Sequence, residues 1–359
     1  MIFAGRKNII MSKMRARVLT SVGNLEMKTV DVPEIKSGEV LLKVHACGIC
    51  GSDIPRIFTT GTYHFPTIPG HEFAGEVVDA YDDRDKKLIG MRAAVFPLIP
   101  CRECNSCQKG VYELCAHYNY LGSRTDGAFA EYVAVPVWNL APIPDNVSYE
   151  QAAMCEPVSV ALHALRQAKI EVGDSVVIYG PGTIGLLIAQ WAKAWGASHV
   201  MMVGTDHTDV EFLKSIGIYD FCNGKREDSA QWVSDLTGGV GADIAIEAVG
   251  AVDALCNCLN SVAPGGKIIC VGNPRGDFTL PKDTYWKILR KQIVMYGTWN
   301  SSFDNSTKND WKIAIDAMSK GIIQNEKLIT HRFSLEDMDK GLDIMKNSTE
   351  TYHKIIVKP

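Results

Sequence analysis

The 359-residue sequence has no apolar run that approaches the ~20 residues needed to cross a bilayer, so no membrane span is expected. Its first fourteen residues hold only short apolar pairs interrupted by Arg6, Lys7 and Lys13, which argues against a secretory signal. Met11 and Met14 both precede the first convincing strand, and residues 1–14 are set aside from the fold argument. Positive charge is not in excess either: 37 Lys and Arg stand against 41 Asp and Glu, a formal charge of −4. A chain without a cationic field is poorly equipped to grip a phosphate backbone, so nucleic acid is not expected as a partner. Repeats and low-complexity tracts are missing as well. With 46% hydrophobic and 22% charged residues the chain is too apolar for disorder, and its length suits a soluble protein of two domains.

Cysteine is present but unevenly spread. Of eleven, Cys101, Cys104, Cys107 and Cys115 fall within fifteen positions. A secreted disulfide scaffold would be shorter and cysteine-dense throughout, so this clustering points to a metal in a reducing compartment, with the cytoplasm as the expected location. Four thiolates on one loop suit a closed tetrahedral zinc site, and four protein ligands leave no open position, which makes that zinc structural.

Residues 15–157 read as short β-rich runs, such as Ala16–Leu19 and Val40–Val44, separated by Pro, Gly and Asp. From residue 158 apolar strands alternate with helical patterns. Strands are expected at 175–179, 199–203, 219–222, 243–248, 267–271 and 293–297, and helices at 184–195 and 210–216 among them. Six strands alternating with helices imply an α/β fold with a doubly wound, six-stranded parallel sheet. After about 302 the chain turns polar and helical and closes with a strand at 353–357. The expected organisation is a mostly β unit, 15–157, completed by 302–359 and carrying a metal lobe at 97–118, beside a dinucleotide-binding unit at 158–301.

The strand at 175–179 runs into Gly180-Pro181-Gly182-Thr183-Ile184-Gly185 and then an apolar helix. In this G-x-G-x-x-G spacing, Gly180 permits the tight turn, Gly182 lets the backbone approach a pyrophosphate, and Gly185 lets the helix pack on the strand. Val249 and Val271, ending later strands, join the expected cofactor-binding set. About 20 residues on, Gly204 stands where an acidic residue would hold the ribose 2′-OH of NAD, followed by Thr205 and Asp206. The glycine leaves room for a 2′-phosphate, but Asp206 could repel that phosphate or reach the 2′-OH. The balance favours NAD and leaves NADP open.

A catalytic zinc needs three protein ligands and one open position. Candidates lie in three separated segments: Gly48-Ile49-Cys50-Gly51-Ser52-Asp53, Gly70-His71-Glu72 and Cys155-Glu156-Pro157. Taken with the four-cysteine lobe, Gly127–Tyr132 and the glycine turn, these segments resemble, in order across residues 15–359, the polyol branch of the zinc-dependent medium-chain dehydrogenases. That resemblance implies a GroES-like catalytic domain beside a Rossmann domain, and an oxidoreductase with two zinc ions per chain. It implies a catalytic zinc on Cys50, His71 and a glutamate, either Glu72 or Glu156, with Cys155 a less favoured donor. It further implies Asp53 as orienter, Ser52 as the carrier of the alcohol proton, and a homodimer or homotetramer built around residues 293–299. The histidine that completes the proton relay in some relatives would fall at Pro55.

Further segments, including Asp53–Phe58, Tyr63–Pro66 and Gly122–Gly127, resemble within that branch the dehydrogenases of phosphorylated polyols, and this resemblance implies galactitol 1-phosphate going to tagatose 6-phosphate. Sorbitol or another free polyol, and a pentulose phosphate, are the alternatives. Arg56, Arg124, Lys287 and Arg290 are the cations expected to meet a phosphate, and Trp299 is expected to line the pocket. A non-catalytic cofactor-binding protein of the same fold is the alternative of a different class, disfavoured because Cys50, Ser52, His71 and Glu156 are all present.

Overall fold

The computed structural model describes residues 12–274, 276–304 and 306–359; residues 1–11 lie outside the described residues. Its first sheet is organised around one long strand, Glu39–Ile49, in which Val40, Leu42, Val44 and Ala46 alternate into the core. Glu72–Ala80 pairs antiparallel along one edge of this strand. Tyr132–Pro136 covers the other edge over Glu39–Lys43, and Lys354–Lys358 covers the far end over Cys47–Ile49. Arg92–Val95 and Leu140–Pro142 extend the sheet on one side, and Ile329–Ser334 extends it on the other. The C-terminal segment therefore completes the first sheet. Close packing along the central strand demands glycine at 75, where a Cβ would stand 2.0 Å from the Lys43 carbonyl oxygen.

The second sheet is parallel and has the strand order Asp220–Asn223, His199–Gly204, Ser175–Tyr179, Ala242–Glu247, Val262–Cys270, Val294–Gly297. Numbered along the chain this is 3-2-1-4-5-6, the doubly wound α/β order that the alternation predicts. Ser175–Tyr179 is buried throughout, as befits a central strand covered on both faces. One strand differs from expectation. The segment expected at 267–271 begins already at Val262 and runs through Pro264-Gly265-Gly266, residues that read as a loop because they interrupt the apolar run.

The chain passes between the sheets through the helix Cys155–Ala168, so the expected junction at 157/158 falls inside a continuous helix. This helix packs against Thr183–Ala194 and Asp310–Ser319. A buried carboxylate secures the second contact: Asp310 takes His163 Nδ1 at 2.8 Å, Arg166 Nη1 at 2.6 Å and the Ser302 amide at 2.7 Å. Removing one member of a buried, hydrogen-bonded network strands the others, so Asp310→Ala is expected to cost about 3 kcal/mol, read as a lowered urea midpoint at unchanged m-value.

Candidate active site

The central strand ends at Ile49 and delivers Cys50 into a short turn that Asp53 closes, its carboxylate accepting the Cys50 amide at 3.0 Å. Ser52 Oγ donates to Cys50 Sγ at 3.3 Å. The other Asp53 oxygen lies 2.6 Å from Arg56 Nη1 and 3.5 Å from His71 Nδ1, so one fully buried carboxylate reaches thiol turn, cation and imidazole together. His71 is set by Gly70, whose φ of 99° and contacts exclude a side chain: a Cβ there would meet Cys47 Sγ and Phe129 at 2.9 Å. Glu72 opens the neighbouring strand, in register with Gly48.

The outcome is one sulfur, one ring nitrogen and one carboxylate oxygen, from Cys50, His71 and Glu72, all within 4.8 Å of one another. His71 and Glu72 are almost wholly buried, and His71 Nδ1 has no hydrogen-bond partner among the described residues. Although burial disfavours its charged form, Asp53 and Cys50 hold the imidazolium of His71 well above the usual histidine range. Burial and the neighbouring Glu72 push the Glu156 carboxyl up to about 7. So much negative charge converging in a closed space calls for a cation, and a thiolate, imidazole and carboxylate set suits zinc.

Glu156 approaches from the start of the interdomain helix, where its Oε1 accepts the Tyr120 hydroxyl at 3.4 Å. Its neighbour Cys155 faces the opposite way, toward Ser159 Oγ and the Trp311 carbonyl, and is part of the core. The less favoured thiol is thus turned out of the site by the helix itself. Of the two glutamates, Glu72 belongs to the three-donor group, and its Oε2 also takes Lys354 Nζ at 2.6 Å. Sequence reasoning missed Lys354 and Tyr120. A lysine heading the apolar run Ile355–Val357 was a usable signal, because a lysine is buried only when it is paired; Tyr120 offered none.

In the lobe, Cys101, Cys104, Cys107 and Cys115 form a second group, with sulfur separations of 4.0 Å for Cys101–Cys107 and 3.9 Å for Cys104–Cys115. A zinc–sulfur bond of about 2.3 Å places tetrahedral sulfurs roughly 3.8 Å apart, so the arrangement fits a closed zinc site. The amides of Cys107 and Ala116 draw the Cys104 thiol down to about 6, while burial pushes Cys107 up to about 12. All eleven cysteines are unpaired by disulfides. The lobe is anchored by Arg102 over the Trp138 ring at 4.4 Å and by Tyr112 edge-on to it at 5.2 Å.

At the carboxyl edge of the parallel sheet, Gly180 adopts φ 112°, and a Cβ at Gly185 would stand 2.0 Å from the Gly180 carbonyl oxygen. Nothing lies within 4 Å of where a Cβ would project at Gly182, which keeps the backbone open to a pyrophosphate. Thr183 Oγ1 donates to the His353 carbonyl, and Ile184 packs into the core. Val249 packs beside Gly180, and Val271 follows the end of the adjoining strand. Gly204, Thr205 and Asp206 close the neighbouring strand, with Asp206 held by Arg226 and Asn223.

The expected substrate cations separate. Arg56 lines a cavity of about 360 Å³ with Ser52, Thr60, Gly61, Thr62 and Tyr63. Arg124 lies between the Tyr63 and Tyr118 rings and donates to Tyr63 Oη at 3.1 Å, which positions one wall of that cavity. Lys287 is elsewhere: its Nζ takes Asn260 Oδ1 at 2.5 Å, next to the amino-terminal start of the Val262–Cys270 strand and so at the opposite end of the sheet from the glycine turn. Lys287 is therefore not among the residues that line the cavity beside Ser52 and Arg56. Arg290 is exposed on the same helix, and Trp299 is 53% exposed and outside the cavity lining.

Residues 36–145 match the family model of the alcohol dehydrogenase GroES-like domain, and residues 183–320 match that of zinc-binding dehydrogenases. The chain is 33% identical over 337 residues to galactitol 1-phosphate 5-dehydrogenase of Escherichia coli (strain K12), covering 93% of this chain and 97% of that one. It is 32% identical over 352 residues to sorbitol dehydrogenase of Bacillus subtilis (strain 168), covering 96% and 97%. A zinc-binding dehydrogenase from Sinorhizobium meliloti 1021, solved bound to NADP, superposes with a TM-score of 0.88 at 30% identity, covering 97% of this chain and 100% of that one.

Metal analysis separates the two donor groups. The intact protein is expected to carry two zinc ions per chain. Cys50→Ala is expected to retain one of them with little change in the unfolding midpoint, whereas Cys104→Ala loses the other and unfolds at lower denaturant.

Proposed function

We propose that this chain, which belongs to the zinc-binding alcohol dehydrogenase family, oxidises a secondary hydroxyl of a phosphorylated polyol, galactitol 1-phosphate to tagatose 6-phosphate, and passes the hydride to a nicotinamide dinucleotide. The observation that carries this reading is the shared wall of the 360 Å³ cavity, where Ser52 and Arg56 stand together next to Cys50. A hydroxyl able to move a proton and a guanidinium able to hold an anion suit a polyol with one charged end. Arginine presents five N–H donors, so pairing one nitrogen with Asp53 leaves others for phosphoryl oxygens.

Cys50, His71 and Glu72 would hold the catalytic zinc, and the four lobe cysteines the structural one. When bound, zinc polarises the substrate oxygen and the nicotinamide accepts the hydride. The remaining work falls to side chains of this protein. Ser52 Oγ relays the hydroxyl proton, accepting it from the substrate as its own O–H proton passes on to solvent in the open cavity, a route that needs no histidine at Pro55. Asp53 keeps His71 and Arg56 in place through one carboxylate. Tyr120 and Glu156 close the buried side of the site against water, and Lys354 balances the charge of Glu72. The reduced cysteines of the lobe suit work in the cytoplasm. Among the described residues no helix is long and apolar enough to cross a membrane.

The same reading includes a homodimer. Val294–Gly297 ends its sheet, and Val294, Met295 and, on the preceding helix, Tyr285, Trp286 and Leu289 are exposed. A strand edge unpaired among the described residues and flanked by exposed aromatics favours isologous pairing with a second copy. Trp286→Asp is expected to shift the protein toward monomer in light scattering with its circular dichroism unchanged.

Initial rates on galactitol 1-phosphate, galactitol and sorbitol test the substrate. A kcat/KM higher by about a hundredfold for the phosphorylated polyol is expected, and Arg56→Ala should erase about ten- to a hundredfold of that ratio, the worth of a charged hydrogen bond. Equal rates on the free polyols would assign the cavity to an unphosphorylated substrate such as sorbitol.

A further inference from the structure

The other half of the reaction turns on the end of the His199–Gly204 strand, where doubly wound folds that bind NAD place a carboxylate on the ribose 2′-OH. Here that position is Gly204, and the packing around it leaves no room for a side chain. A Cβ would stand 2.2 Å from Thr208 Oγ1, 2.9 Å from Pro181 and 3.1 Å from Phe221. The carboxylate is therefore excluded by the fold as well as missing from the sequence.

Three nearby acids could take over its role, and all are engaged. Asp206 Oδ1 holds Arg226 Nε at 2.5 Å and Asn223 Nδ2 at 2.6 Å. Asp209 lines the adjoining cavity, but its carboxylate caps the next helix by accepting the Phe212 amide at 2.9 Å. Glu227, on the following loop, accepts the Asn223 amide at 3.1 Å.

Cations, by contrast, are carried to the spot. The Gly224 amide donates to the Gly204 carbonyl at 3.0 Å, which ties the segment Gly224-Lys225-Arg226 to the floor of the ribose position. The Asp206–Arg226 pair is largely solvent-exposed, and exposed pairs of this kind contribute little, so the guanidinium can turn from Asp206 to a phosphate dianion. Lys225 adds a further positive charge on the same loop. A cavity of about 180 Å³ opens at the glycine turn, lined by Pro181 and Gly182, by Thr205, His207 and Thr208 after the Gly204 strand, and by the helix-capping Asp209. Thr208 Oγ1 accepts the Thr205 amide at 3.0 Å and Thr205 Oγ1 accepts the His207 amide at 3.4 Å. Each hydroxyl thus keeps its O–H to donate to an anion.

We propose that the adenosine end of this site is built for the 2′-phosphate of NADP(H), held by Arg226 and Lys225 with the hydroxyls of Thr205 and Thr208, and that NAD(H) is the weaker ligand. This rests on the dinucleotide-binding role assigned above, not on the identity of the polyol. It reverses the balance struck from the sequence, which lacked both the packing around Gly204 and the cations brought in from residues 225 and 226.

Binding is measured on the full-length protein without polyol, by calorimetry with NADPH and NADH and with the fragments 2′,5′-ADP and 5′-AMP. NADPH and 2′,5′-ADP are expected to bind more tightly than their partners by about tenfold or more, the scale of one or two charge-assisted hydrogen bonds. The double variant Lys225→Ala/Arg226→Ala should remove that difference by weakening NADPH while leaving NADH unchanged. Equal or tighter binding of NADH, or equal weakening of both dinucleotides in the double variant, overturns the proposal. If neither dinucleotide binds, the dehydrogenase reading falls with it; if NADPH binds but galactitol 1-phosphate is not oxidised, only the substrate assignment fails.

Discussion

Buried charge at one end of the strand Glu39–Ile49 is the constraint on which this structure depends. Asp53, Glu72 and Glu156 are each less than a tenth exposed and converge on the Cys50 thiol, a concentration of anionic groups that burial makes costly unless cations answer it. Two cations are built in: Arg56, 2.6 Å from Asp53, and Lys354, which joins Glu72 from the strand that closes the chain. The donor set of Cys50, His71 and Glu72 invites a third, a metal ion. The requirement reaches far along the sequence, because Lys354 can arrive only if the last strand pairs with the central one over Cys47–Ile49. Completion of the first sheet and neutralisation of the site are one event.

The two sheets divide the chemistry. The first sets donor atoms at strand ends, where a side chain's position follows from register: Cys50 after one strand, Glu72 opening the second, Lys354 opening the third. The second offers backbone instead, a glycine turn whose close contacts forbid side chains at 180 and 185 and whose open face at 182 admits a ligand. The helix Cys155–Ala168 joins the two and carries Glu156 to the metal side, while the Asp310 network fixes that helix from behind. Thr183, on the glycine turn, reaches the His353 carbonyl next to Lys354, so the two halves also meet beside the charge they share.

Legibility in the sequence followed distance along the chain. The lobe cysteines, the glycine turn and the strand–helix alternation are local patterns, and each stood out by its spacing. Tyr120 carries no signature at all, and Lys354, though its place at the head of an apolar run marks it as paired, lies so far along the chain from Glu72 that only strand pairing names its partner. Lys287 shows the converse: a cation singled out by the resemblance of its segment and by its charge stands beside Asn260 at the opposite end of the sheet from the glycine turn. Cys155 and Glu156 are adjacent, and only the helix's orientation decides which of them faces the metal group and which the core.

By itself the sequence determined the kind of chemistry: a four-thiolate lobe, a dinucleotide turn, and segments bearing Cys, His and Glu that belong to zinc-dependent hydride transfer. These are properties of residue type at short spacing, which the chain specifies directly. Only the tertiary structure decided which donors share a space, which cation lines the cavity beside Ser52, and that the Gly204 position is too crowded for a carboxylate. Such questions turn on register, helix orientation and the closeness of packing between segments far apart in the chain, and those quantities come into being only when the sheets assemble.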